Sequence, residues 1–120
     1  MGTYYDVYYL HKSEVVSIDW LSNRLAGDTQ VADNAVRAEV QTDRYSLKKI
    51  NSMAELNAMN DIYPGLIRRD SYVYLGYTNV VKSQASMVFD GNLLTYTYPL
   101  DFLDQNKDLV YSNGTARIYK

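Results

Sequence analysis

Asp33 is the residue whose type and position best suit ligand binding. Residues 29–32 favour a short strand, and Asp33 or Asn34 then starts a helix predicted to run to about residue 42. In open α/β sheets, ligands gather at the carboxyl ends of strands, where this carboxylate is expected to lie. A helix N-cap requires the same residue type at the same place, and capping is the favoured explanation of Asp33.

Tyrosine is unusually frequent, with 13 tyrosines against one tryptophan and two phenylalanines. Its ring buries a large apolar area while its hydroxyl stays at the wet edge, so tyrosine suits both sheet packing and carbohydrate stacking. Packing in a sheet is the favoured explanation. The alternative is a ligand-binding site in which Tyr72, Tyr74 and Tyr77 stack on a sugar or another planar partner near Asp33.

An alternating acidic stretch near the C-terminus resembles the start of a calcium-binding loop. Asp104, Asn106 and Asp108 occupy its first, third and fifth positions. The glycine and the bidentate glutamate that should follow are replaced by Leu109 and Thr115. The sequence therefore favours a solvated loop over a calcium site.

Other catalytic patterns lack the residues that they need. His11 is the only histidine and cysteine is absent, so we expect neither a zinc site nor a histidine-dependent triad. The sequence contains no glycine-rich phosphate loop, nucleophile elbow or spaced pair of catalytic carboxylates. We therefore predict no metal or organic cofactor, and a small soluble enzyme is the least favoured class of function.

The composition predicts one folded domain over residues 1–120. A chain of this length with 47% hydrophobic and 22% charged residues can bury a single core. Its formal net charge of -2 offers no broad basic surface, so nucleic acid is not an expected partner. The sequence has no apolar stretch of the roughly 20 residues that a membrane helix needs. The abrupt start at Thr3 suggests a segment excised from a longer protein.

The strand signals are strongest in the second half of the chain. Residues 71–77 (SYVYLGY) form a nearly continuous β-prone apolar run, which predicts a strand in the middle of the sheet. Residues 45–50 are predicted to be another strand. Residues 78–89 and 93–98 are predicted to be extended segments on either side of an Asp-Gly turn at residues 90–91.

Three further segments carry helix signals. Apolar residues at helical spacing predict a first helix over residues 13–27, between a serine N-cap and a glycine stop. Ser52 and Glu55 fit a capping box at the start of a helix that extends to about residue 59. Pro99 is expected at the first position of a short helix through Leu103.

The C-terminal segment is predicted to be a β-hairpin that pairs residues 109–111 with residues 116–119 through a tight Asn113-Gly114 turn. Together these elements predict a single α/β domain, with a mixed β-sheet flanked by helices and a C-terminal β-hairpin. Asn113 also begins the triplet Asn-Gly-Thr, a formal N-glycosylation acceptor on a secretory or cell-surface protein.

Four segments, taken in order and with their spacing, resemble one protein family: residues 14–21 (EVVSIDWL), 30–33 (QVAD), 71–79 (SYVYLGYTN) and 107–119 (KDLVYSNGTARIY). They resemble the C-terminal tail domain of archaeal multi-pass membrane proteins. The membrane part of these proteins is similar to C-type glycosyltransferases, which use lipid-linked sugars. The family favours two glycines in the final hairpin, where this chain has Gly114-Thr115.

The resemblance implies a non-catalytic domain on the extracytoplasmic face of the cell membrane. Its implied partners are the upstream transmembrane part of the same parent chain and a glycan or lipid-linked sugar. The implied role is to stabilise the membrane part or to help it recognise an acceptor. In C-type glycosyltransferases the catalytic acidic residues lie in loops between membrane helices, so no catalytic residue is carried over. The alternative is a free-standing module that binds a small ligand or a carbohydrate.

Overall fold

The computed structural model describes residues 12–29, 39–53, 58–60, 62, 66–69 and 71–120. The helices in these ranges are α1 (Lys12–Thr29), α2 (Arg44–Met53), α3 (Tyr77–Val81) and α4 (Leu100–Asn106). The strands are β1 (Val40–Gln41), β2 (Ala58–Met59), β3 (Tyr72–Leu75), β4 (Gln84–Phe89), β5 (Asn92–Thr97), β6 (Leu109–Ser112) and β7 (Arg117–Tyr119). The predicted α/β class is confirmed.

Five strands form one mixed sheet in the order β2-β1-β3-β7-β6. The pairs β1–β2 and β1–β3 are parallel, whereas β3–β7 and β6–β7 are antiparallel. β3 is the central strand, and all four of its residues are buried. The prediction of a mid-sheet strand within residues 71–77 is thus confirmed, although Tyr77 already belongs to α3.

Hydrophobic residues pack on both faces of this sheet, because successive strand residues point to opposite sides. One buried cluster contains residues of α1, α2 and the sheet: Ile18, Leu21, Leu25, Val40, Ile50, Tyr72, Tyr74 and Ile118. The other contains residues of β3, β4, β7, α4 and nearby loops: Ile62, Val73, Leu75, Ala85, Tyr98, Leu103 and Tyr119. β3 contributes two residues to each cluster and is therefore covered on both sides.

The strands β4 and β5 form a separate two-stranded antiparallel sheet, which we call the hairpin arm (residues 84–97). Its tip is the predicted Asp-Gly turn, where Asp90 and Gly91 have φ angles of 51° and 78°. Leu93 and Leu94 near this tip are exposed. The predicted extended segment of residues 78–89 is wrong in its first part, since α3 occupies residues 77–81.

The prediction of a strand over residues 45–50 is wrong, because these residues lie in α2. Buried residues Ser46, Lys49 and Ile50 recur at helical spacing. Asp43 caps this helix by accepting a hydrogen bond from the Ser46 backbone N–H at 3.0 Å. The cap and the tertiary packing outweigh the strand propensity of the segment.

Two neighbouring predictions also need correction. Ser52 lies in the last turn of α2, where its hydroxyl donates to the Lys49 carbonyl at 2.8 Å, and Glu55, its partner in the predicted capping box, lies outside the described residues. Residues 58–59, predicted to be helical, form β2. The helix predicted to reach residue 42 cannot do so, since Val40–Gln41 is β1. Asp33 lies outside the described residues.

The predicted first and last helices are confirmed with shifted ends. α1 begins at Lys12, one residue before the predicted serine cap, and continues two residues beyond Gly27 to Thr29. Pro99 precedes α4 as its N-cap residue, and the helix extends past Leu103 to Asn106.

The C-terminal hairpin is confirmed as β6 and β7, with a register irregularity between Leu109 and Tyr111. Its turn differs from the predicted two-residue form. Gly114 has a φ of 90°, but Asn113 acts through its side chain, whose Oδ1 accepts the N–H groups of Thr115 at 3.3 Å and Ala116 at 3.0 Å. The asparagine side chain, rather than a positive φ angle at that residue, holds the loop.

Candidate functional site

Buried polar side chains collect at one edge of the sheet, where the parallel strands β1 and β3 end. Thr42 and Asp43 follow β1, and Gly76 follows β3. After β1 the chain returns to the sheet at β2 on one side, and after β3 it returns at β6 and β7 on the other. Ligands of open α/β sheets bind where neighbouring connections diverge in this way. We call Thr42, Asp43, Gly76 and the residues in contact with them the carboxyl-edge network.

Asp43 joins three elements of this network and is fully buried. Its Oδ1 accepts the Ser46 N–H of α2 at 3.0 Å, and its Oδ2 accepts the Ser86 N–H of β4 at 3.2 Å. The side chain of Asn79, in α3, is a further hydrogen-bond partner. Among the described residues, the partners of this carboxyl group are all uncharged.

The environment of Asp43 alters its ionisation. Burial raises the pKa of this carboxyl group from 3.8 to about 6, because a charged group loses its hydration there. Hydrogen bonds from Ser46, Asn79 and Ser86 lower the pKa and offset only part of that effect. Asp43 is therefore able to exchange a proton near neutral pH.

Glu14 and Lys49 form a buried ion pair beside Asp43. Lys49 Nζ lies 2.9 Å and 3.1 Å from the two carboxylate oxygens of Glu14, and the two side chains are 4% and 0% exposed. Glu14 Oε2 also accepts the Tyr77 N–H at the start of α3, at 3.3 Å. The pair thereby connects α1, α2 and α3.

Gly76 makes room for this arrangement. A Cβ atom at this position would lie 2.5 Å from Glu14 Oε2 and 2.7 Å from Ser46 Oγ. The Gly76 N–H donates to Asn79 Oδ1 at 3.0 Å, and Asn79 Nδ2 donates to the Gln84 carbonyl at 2.8 Å. The absence of a side chain at Gly76 thus allows the ion pair and α3 to approach closely.

Four buried polar atoms on the elements around Asp43 have no hydrogen-bond partner in the part of the chain that the structure describes: Thr78 Oγ1, Gln84 Oε1, Ser86 Oγ and Tyr98 OH. They belong to α3, to β4 and to the segment after β5. An unsatisfied buried polar group costs about 1–3 kcal/mol, so a hydrogen-bond partner at any of these atoms would be favourable. Within the described ranges, His, Cys, Asp and Glu form no group of three or more able to hold a metal ion.

The predicted tyrosine site is divided between the core and its edge. Tyr72 and Tyr74 are 1% and 0% exposed and belong to the core cluster next to α1. The Tyr74 hydroxyl lies 2.9 Å from Ser17 Oγ, and burial raises its pKa. Tyr77 is half-buried beside Glu14. Packing explains the first two rings, and ligand stacking by the three tyrosines stays a prediction, as does the role of Asp33.

Three further candidates from the sequence, Asn113, Asp104 and Asn106, have partners within the protein. Asn113 is exposed, and its Nδ2 donates to the Ser13 carbonyl in α1 at 2.8 Å. Its glycosylation stays a prediction. Asp104 accepts the Tyr119 hydroxyl at 2.8 Å, and Asn106 Nδ2 donates to the Phe102 carbonyl at 2.8 Å. His11 lies outside the described residues.

Sequence reasoning missed Asp43, Glu14, Lys49 and Asn79. A usable signal existed for Asp43, since the argument made for Asp33, an acidic residue between a strand and a helix, applies to it directly. The prediction of a strand over residues 45–50 hides this signal, because it places no helix after Asp43.

Comparison of the chain with models of known protein families, with curated proteins and with solved structures finds no match. In the described part of the chain, no helix is both long and apolar enough to cross a membrane.

Proposed function

We propose that this chain is the non-catalytic, extracytoplasmic C-terminal domain of a multi-pass, glycosyltransferase-like membrane protein. In this role the domain stabilises the membrane part of the parent chain or helps it recognise an acceptor, such as a glycan or a lipid-linked sugar. The proposal begins from the four segments that resemble that family.

The mutual packing of three of these segments is the observation that carries the proposal. They lie largely in α1, in β3 with α3, and in β6 with β7, and the fourth, residues 30–33, lies outside the described residues. Ser17 of the first contacts Tyr74 of the second through their hydroxyls at 2.9 Å, and Tyr74 pairs with Ile118 of the third. A resemblance spread along the sequence thus corresponds to one packed unit, as expected when it reflects a shared framework.

The state of the ionisable groups supports a non-catalytic role. General acid-base catalysis needs a side chain within hydrogen-bond reach of the substrate. Glu14 and Lys49 are instead buried against each other, and Asp43 caps α2 and binds β4. The groups best suited to proton transfer therefore hold the fold together.

Two experiments test this proposal. The purified chain should show no hydrolysis or transfer above background with nitrophenyl glycosides or a lipid-linked sugar donor. Turnover that is lost in Asp43→Asn and retained in Asp101→Asn, an exposed control, would overturn it. The native gene should also encode several apolar spans of about 20 residues upstream. A stop codon directly before Met1 would contradict that expectation.

A parent chain with such spans allows a direct test of the role. Deletion of this domain should reduce either the amount of folded membrane part or its transfer to the acceptor, while donor binding persists. A deletion that changes neither quantity would remove both proposed roles.

A ligand-binding module is the second candidate, and the unpartnered polar atoms near Asp43 favour it. A thermal-shift screen of glycans and metabolites tests it. A ligand present at about 100 times its dissociation constant should stabilise the fold by about 2.7 kcal/mol. A screen without any shift would count against this function.

A further inference from the structure

We propose that the hairpin arm is a pH-dependent flap, fastened over the carboxyl edge of the sheet by Asp43 and loosened when that carboxyl group loses its proton. This device goes beyond the proposed function and does not depend on it. It rests on how the arm is attached, on what surrounds Asp43 and on the unused polar atoms at the contact.

The arm is held at its base and exposed at its tip. Ala85 and Ser86 at the base are 0% and 1% exposed, whereas Leu93 and Leu94 toward the tip are 55% and 45% exposed. The backbone of Ser86 donates to Asp43 Oδ2 at 3.2 Å, which connects the arm to the start of α2. Movement of the arm away from α2 breaks this hydrogen bond and exposes the carboxyl group to water.

Within the described residues, the groups around Asp43 supply no counter-charge for its carboxylate. On α2, Lys49 is paired with Glu14 of α1. On α3, Asn79 is neutral and Tyr77 gives its N–H to Glu14. On the other side is Tyr98, whose pKa is raised first by burial and then by neighbours that include Asp43.

Protonation of Asp43 suits the closed arrangement. A protonated carboxyl group still accepts from the two backbone N–H groups, more weakly than the ionised form does, and gains one O–H donor. Ser86 Oγ, on the residue whose N–H already contacts Asp43, is a buried oxygen with no partner among the described residues, and a hydroxyl oxygen can accept such a donor. Ionisation removes the donor and leaves a buried charge, which favours hydration and opening.

The direction of the pH effect follows from proton linkage. The closed state holds the proton up to about pH 6, whereas an opened, hydrated Asp43 approaches the ordinary value of 3.8. Closing is therefore coupled to proton uptake. The opening equilibrium should rise with pH between about 4 and 6 and level off above that range, with an increase of about tenfold or more between pH 4.5 and 7.

Native-state hydrogen exchange followed by NMR tests the flap. Opening constants are obtained for the amides of β4 and β5, after correction for the intrinsic pH dependence of exchange, and the amides of β3 and β7 serve as an internal reference. We expect the arm to open more readily at pH 7 than at pH 4.5, and at both pH values more readily than the reference strands. Equal opening constants in both regions would indicate global unfolding and overturn the proposal, as would no change with pH in the arm.

Variants identify the group responsible. Asp43→Asn should abolish the pH dependence of opening in the arm, and the exposed control Asp101→Asn should retain it. Ser86→Ala keeps the backbone hydrogen bond but removes the proton acceptor, so it should reduce the dependence. Retention of the full dependence in Asp43→Asn would overturn the proposal. If Asp43→Asn does not fold, two measurements still test the proposal. One is the comparison of the arm with the reference strands in the wild type, and the other is the pH dependence of opening in Ser86→Ala.

Discussion

Glu14 and Asp43 are both fully buried carboxyl groups at the same edge of the sheet, but their surroundings differ. Glu14 faces the ammonium group of Lys49 at 2.9 Å. Asp43 is surrounded by uncharged donors from α2, α3 and β4. A buried charge opposite a counter-charge is a fixed structural connection, whereas a buried carboxyl group without one gains or loses a proton as the pH changes.

This difference assigns the two residues separate roles. The Glu14–Lys49 pair holds α1, α2 and α3 in one arrangement, because removal of either partner leaves an uncompensated charge. Asp43 connects α2 to the hairpin arm with a strength that depends on its protonation state. One edge of the sheet therefore combines a permanent contact with an adjustable one.

Removal of the Lys49 charge is the strongest test of this comparison. Lys49→Met leaves Glu14 buried without its counter-charge and should reduce the free energy of unfolding by about 3–5 kcal/mol. Urea denaturation at pH 7 measures the loss. The double variant Glu14→Gln/Lys49→Met should recover much of it, since no buried charge remains.

The ion pair of the exposed Arg68 with the half-buried Glu39 provides a control for the fully buried pair. Arg68→Met should change stability by no more than about 1 kcal/mol, because exposed ion pairs contribute little. If Lys49→Met lost no more stability than Arg68→Met, burial would not distinguish the two pairs.

Gly76→Ala crowds Glu14 and Ser46, because the added Cβ would lie 2.5 Å from Glu14 Oε2 and 2.7 Å from Ser46 Oγ. Overpacking of this kind should cost about 2–3 kcal/mol in thermal or urea denaturation. Gly91→Asn is the control, since that site is open and asparagine tolerates its positive φ of 78°. Equal effects of the two substitutions would contradict the close packing around Gly76.

The sequence predicted the elements whose signals are local. The apolar run of β3 is visible in its own residues, and the Asp-Gly turn of the hairpin arm and the C-terminal hairpin follow from turn chemistry. These predictions required no knowledge of distant contacts. They correctly located the central strand and both antiparallel hairpins.

The carboxyl-edge network was not predictable in the same way. β1 and β2 are two residues long, too short to show a period, and they exist because they pair within the five-stranded sheet. Because β1 is not recognisable from the sequence, Asp43 is not recognised as a residue that follows a strand. Glu14 and Lys49 are 35 positions apart, and only the packing of α1 against α2 identifies them as partners.

The pH dependence of the free energy of unfolding should distinguish Asp43→Asn from the wild type. The pKa of Asp43 is raised in the folded state, so its contribution to stability is greatest below pH 3.8 and declines as the pH rises to about 6. The wild type should therefore lose about 2 kcal/mol relative to Asp43→Asn between pH 4.5 and 7.5. Urea denaturation at both pH values measures this difference, and Asp101→Asn should track the wild type. A constant difference between wild type and Asp43→Asn would contradict a proton on the buried group.

The smallest expected effect concerns Asn113, which lies in the C-terminal hairpin and contacts the start of α1 next to Glu14. Asn113 donates to the Ser13 carbonyl, one residue before Glu14, and its Oδ1 accepts two N–H groups of the C-terminal loop. Asn113→Ala should cost about 1 kcal/mol, and Asn113→Asp, which keeps the acceptor, should cost less. Thermal denaturation ranks the two variants.

Because the ion pair is held mainly by its own charges, combining Asn113→Ala with Lys49→Met should give an additive loss. A clearly non-additive loss would show that the C-terminal hairpin helps to fix Glu14, and the contact at this edge would then extend from α1 to the last strand of the sheet.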